Sequence, residues 1–153
     1  MNESAIASRE STSEIPEIRF DTKVIVVLHE DLLPWQELNV TAFLMTGIAT
    51  SEPGLVGKHY EDGDGNSYLP MLRQPVMVMS ADAETLGKIR SKAIGRGLPL
   101  ALYTRDLFAT QLDAANRAAV AAVTSEQLDL AGVALRGPKN AVDRAVKGAQ
   151  LHR

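Results

Sequence analysis

Residues 22–39 read TKVIVVLHEDLLPWQELN. Val24 to Leu28 are apolar without alternation, and the chain then turns at once to His29, Glu30 and Asp31. A short, unbroken run rich in β-branched residues reads as a strand buried on both faces, as found inside an α/β sheet. Ligands collect beyond the carboxyl ends of strands in such sheets, so three titratable groups at this strand's end have the layout of a site. Pro34 behind them suits the first position of a helix, where its missing N–H costs nothing.

Working outward, PWQELNVTAFLMTGIAT carries Trp35, Leu38, Ala42, Met45 and Ala49 at helical spacing, with Gly47 weakening the helix near its end. Asp-Gly and Gly-Asn pairs between two Tyr-containing arms, within residues 51–72, signal a hairpin. A second strand is expected over Val76–Met79. The following helix is capped by Ser80 or Asp82, carries Leu86, Ile89, Ala93 and Ile94 on one face, and closes at Gly97. A third strand covers Leu100–Tyr103, an Ala-rich helix follows, and a fourth strand covers Gly132–Leu135. Pro138 opens a last helix reaching Gln150. Strands alternating with helices predict one α/β domain over residues 20–153, with a mixed, mainly four-stranded sheet and helices on both faces. Residues 1–19, rich in Ser and Glu, read as a flexible tail.

The 153 residues are 45% hydrophobic and 23% charged, as in ordinary globular domains. No stretch approaches the roughly 20 apolar residues of a membrane helix, and the N-terminus has no apolar signal region. With no cysteine there is neither a disulfide framework nor thiolate chemistry, which fits the cytoplasm. The net charge of −3 hides an asymmetry. Residues 1–80 hold 5 Lys/Arg against 12 Asp/Glu, and residues 81–153 hold 11 against 7. An acidic whole argues against indiscriminate nucleic-acid binding, while the basic half leaves room for one anion-binding face.

Asp62, Asp64 and Asn66 occupy alternate positions, as in a calcium loop. However, Ser67 stands where an EF-hand needs Gly, and Arg73 stands where it needs Glu. A tight hairpin turn explains the same residues. His29, His59 and His152 lack metal-ligand spacing, so neither a metal nor a cofactor is predicted. What remains is positional. If the first and third strands are neighbours, His29, Glu30 and Asp31 share a crevice with Thr104, Arg105 and Asp106. A helical turn after the third strand would stack Asp106 on Thr110, and such a pair can orient water for attack on an acyl carbon. An Asp in that place also serves as a helix cap.

KVIVVLHEDL, NVTAFLMTGIA and the blocks from IRSKAIGRG to RDLFAT and from LAGVALRGPKN to QLH resemble an uncharacterised bacterial family, domain of unknown function 2000. That family's fold is similar to the type II peptidyl-tRNA hydrolases. The hydrolases share the opening strand and the acidic step after it, matched by Lys23, Val26, Val27, Asp31 and Leu32. The resemblance implies catalytic roles for Asp106 and Thr110, a cleft bordered by His29, Asp31, Asn39, Thr46 and Arg105, and a homodimer. Two departures stand out. Asn39 replaces the hydrolases' functional Lys, and Phe43 and Thr46 fall near their Gln and His. The ammonium suited to a tRNA phosphate and one proton carrier are therefore missing. Two functions follow: a hydrolase of an aminoacyl or peptidyl ester or amide, or a non-catalytic module that grips a small ligand or an RNA end. Neither involves a membrane.

Overall fold

The computed structural model describes residues 20–153; the expected N-terminal tail lies outside them. Strand β1, Thr22–His29, is central. It pairs in parallel with β4, Val76–Ala81, and antiparallel with β6, Leu130–Pro138. Beyond β6 lies β5, Leu100–Thr104, and beyond β4 lies β7, Gln150–Leu151. The order β5-β6-β1-β4-β7 makes a mixed five-stranded sheet. A separate hairpin joins β2, Tyr60–Glu61, to β3, Ser67–Tyr68.

All four expected strands are present. The fifth strand corrects the sequence reading, which extended the last helix to Gln150. That helix, α4, covers only Lys139–Ala145. Gly148 then adopts φ +98°, a left-handed conformation that turns the chain back onto β4. Pro138 ends β6 and is also the N-cap of the helix it was expected to open.

Alternation along β1 assigns its residues to two cores. Val24, Val26 and Leu28 pack against helix α1, Pro34–Ala49, whose buried residues are Val40, Leu44 and Ile48. Ile25 and Val27 face the other layer, with Leu86, Ile89 and Ala93 of α2, Ala83–Gly95, and Val142 and Ala145 of α4. The expected face of α2 holds except for Ile94, which is exposed. Asp82 is its cap, accepting from the Thr85 N–H.

The face expected for α1 is replaced. Leu38 is 75% exposed, and Trp35 and Phe43 are 56% and 54% exposed. Helix α1 sits close to the sheet because β6 offers Gly132. A Cβ there would stand 3.0 Å from Val40 Cγ1 and 3.1 Å from the Val27 carbonyl oxygen.

The turn after Glu61 is closed by Asp62, whose carboxylate accepts from the Asp64 and Asn66 N–H groups, the Asn66 amide and the Tyr68 hydroxyl. The Tyr68 hydroxyl, with the Asn66 and Asp64 donors adding to it, lowers the Asp62 pKa to about 2. The hairpin accounts for the calcium-like spelling.

Candidate functional site

The first and third sequence-predicted strands are β1 and β5, and they are not neighbours: β6 runs between them. Both run antiparallel to β6, so their carboxyl ends still emerge at one edge. Arg105 follows β5 directly. Its guanidinium meets Asp31, after β1, at 2.5 Å and Asp129, before β6, at 3.5 Å. Its backbone N–H donates to the Asp129 carbonyl at 2.9 Å. His29 Nδ1 stands 2.6 Å from the Asp31 carboxylate. These residues form a rim in which the acidic groups are occupied by partners. The Arg105 hydrogen bond holds the Asp31 carboxyl below its ordinary range, with His29 and the Arg105 charge adding to it.

Beside the rim, between α1 and the segment after β5, lies a cleft of about 390 Å³. Trp35, Asn39 and Phe43 reach it from α1 at positions i, i+4 and i+8, one face of a helix. Tyr103 enters from β5 and Phe108 from the 3₁₀ turn Arg105–Phe108. The rings form a continuous arc. Trp35 meets Phe108 edge-on at 5.5 Å, Phe108 meets Tyr103 at 5.1 Å, and Tyr103 meets Phe43 at 5.8 Å. The chain's full sequence has one Trp, three Tyr and three Phe, so over half of its aromatic residues converge here. The buried Tyr103 hydroxyl donates to Asn39 Oδ1 at 3.4 Å, and burial pushes its pKa up, keeping it a donor.

Thr110 also lines the cleft. The helical turn expected to stack it on Asp106 stops at Phe108, and its hydroxyl bonds the Leu107 carbonyl at 3.1 Å and the Asn116 side chain. Asn116 belongs to α3, Asp113–Ala121. Asp106 is exposed, lies outside the cleft lining, and its side chain has no hydrogen bond or ion pair among the described residues. Nor does it cap a helix, because it lies inside the 3₁₀ turn.

Thr46 lies one turn beyond Phe43, where the cleft continues as a trough between α1 and α3; its hydroxyl donates to the Phe43 carbonyl at 2.7 Å. His29, Asp31 and Arg105 stand at the rim, not in the lining. Tyr103, Phe108 and Asn116 escaped the sequence reading. Tyr103 sits in a strand that also reads as ordinary core, and Asn116 in a helix that reads as solvated. Among the described residues no cluster of His, Asp and Glu has the form of a metal site, and no helix is long and apolar enough to cross a membrane.

The model of the family described as protein of unknown function DUF2000 matches residues 22–153. The chain belongs to that family. Among solved structures, this DUF2000 member is similar to a protein of unknown function from Agrobacterium tumefaciens strain C58. The two share 44% identity and a TM-score of 0.86, over 88% of this chain and 100% of the other. No curated protein matches the chain.

Proposed function

We propose that this DUF2000 protein is a relative of the type II peptidyl-tRNA hydrolases whose cleft holds a small organic ligand through ring contacts. The observation that carries this is the aromatic arc Trp35–Phe108–Tyr103–Phe43, with two rings more than half exposed and one hydrogen-bonded pair, Asn39–Tyr103, at its floor. Exposed aromatic area clustered in one concavity is uncommon on a soluble surface unless something covers it. The kinship is supported by the mixed sheet and by a cleft at the carboxyl ends of β1 and β5. With Asn39 in place of the hydrolases' Lys, the cleft has lost the charge suited to a tRNA phosphate. A crystal soaked with a mixture of small aromatic compounds should show density against Trp35 and Phe43. An empty cleft after saturating soaks would count against binding there.

Hydrolysis is the second reading, favoured by one observation: Asp106 is an unpaired carboxylate in the turn that also supplies Phe108 to the cleft. Such a group is available to orient water against an ester or amide bond held beside Thr110. Release of product from aminoacyl and peptidyl esters, followed with peptidyl-tRNA in parallel, tests it. The same kinship brings the homodimer into the proposal. Sedimentation at tens of micromolar distinguishes it from the 16.5 kDa monomer.

A further inference from the structure

The charge pattern around the cleft indicates the sign of its ligand, an inference that rests on the binding reading above. No Lys or Arg is among the residues lining the cleft, and the one charged side chain there is Asp113. Arg117 lies in the adjoining trough, already paired with Asp113. At the rim Asp31 and Asp129 share Arg105, and Asp106, in the turn after β5, has no partner among the described residues. Four carboxylates thus stand in the cleft lining or on the segments beside it, against two guanidinium groups, each of which is engaged by carboxylate. Among the described residues, Lys92, Arg96, Arg144 and Lys147 are cations without a salt bridge on or just beyond α2 and α4, across the sheet. Aromatic rings present a negative face, so a ring-lined cleft in an acidic surround attracts positive charge twice over, through the ring quadrupoles and through the local field.

We propose that the cleft takes an organic cation, an ammonium carried on a small aryl or alkyl body, with the body against the rings and the charge facing Trp35, Phe43 and the carboxylates. An anion meets repulsion here, and no Lys or Arg in the lining offsets it. For the acyl chemistry considered above this discriminates between substrates. An aminoacyl group carries a free α-ammonium, whereas a peptidyl group has that nitrogen acylated and neutral.

Trp35 is the chain's sole tryptophan and lines the cleft, so its emission reports occupancy. The purified full chain is titrated with phenethylammonium, 2-phenylethanol and phenylacetate, which share a ring and differ in charge. Phenethylammonium should saturate the change in emission with a Kd at least tenfold below that of 2-phenylethanol, and phenylacetate should bind more weakly still. Added salt should narrow the gap. Phe43→Leu keeps an apolar side chain without the ring, so it should lose most of the preference for the cation while still binding the alcohol; far-ultraviolet circular dichroism checks that the variant is folded. Equal affinities, or phenylacetate binding best, would overturn the cation inference and leave the binding cleft standing. No response to any of the three at millimolar concentration would overturn both.

Discussion

Arg105 ties together three segments remote in sequence: the ends of β1 and β5 and the start of β6. Spacing makes visible only the short-range bonds of an Asp, those to its own turn. The actual partner is 74 residues away. The pair sets an acid-side expectation. The folded Asp31 pKa lies below the ordinary carboxyl value of 3.8, so its stabilisation is fully present above that value and is lost as pH falls through the lower, folded value. Because Asp31 is largely exposed, solvent screening limits the effect to about 0.2–1 kcal/mol. Melting temperatures of wild type and Asp31→Asn from pH 6 down to 2 should converge at the acid end. Asp106 gives the opposite case. With no bond to lose, Asp106→Asn and Asp106→Ala should each change stability by no more than about 0.5 kcal/mol. If the turn is catalytic, Asp106→Asn should nonetheless slow ester hydrolysis by at least about a hundredfold. Wild-type rates in both variants would remove Asp106 from the chemistry.

Helix α1 shows where sequence periodicity stops being decisive. Its apolar residues are spread so widely that more than one stripe satisfies helical spacing. The stripe chosen from sequence contained Trp35, Leu38 and Ala42, whereas the sheet buries Val40, Leu44 and Ile48. Contact with β6 decides between them, and a single helix does not encode that contact. The four main strands were legible for the opposite reason: unbroken apolar runs permit few alternatives. Their order was not, because insertion of β6 between β1 and β5 depends on long-range pairing. The two stripes have different expected costs. Leu44→Ala removes a fully buried side chain and should cost about 2–5 kcal/mol, while Leu38→Ala should stay within about 0.5 kcal/mol. Urea midpoints measure both. Gly132→Ala tests the helix–sheet contact itself. Its new methyl meets a backbone oxygen that has little room to yield, so about 1–3 kcal/mol should be lost, or roughly 3–10 °C in Tm.

For the molecule as a whole, β1 is shared by two cores, and the layers on its two sides carry different charge. The α1 side bears the aromatic cleft and its acidic surround. The α2–α4 side bears Lys88, Lys92 and Arg96 on one helix and Lys139 and Arg144 on the other, with Lys147 just beyond. This division between faces is not the asymmetry along the sequence, because Asp106, Asp113 and Asp129 of the acidic surround come from the basic second half. The anion-binding face allowed for by the basic second half and the cleft that contains Asn39 lie on opposite sides of the sheet. Any affinity for a polyanion should then reside on α2 and α4, be weak, and fall steeply with salt through counterion release. On a heparin column at low ionic strength, Lys92→Glu combined with Arg144→Glu should elute at lower salt than wild type, while Trp35 emission and its response to cleft ligands stay unchanged. Asn39→Lys adds its charge to the other layer and should leave the elution where it was. If Asn39→Lys strengthens retention and the double reversal does not weaken it, the cleft face is the one that meets phosphate. The division of labour between the two layers would then be wrong.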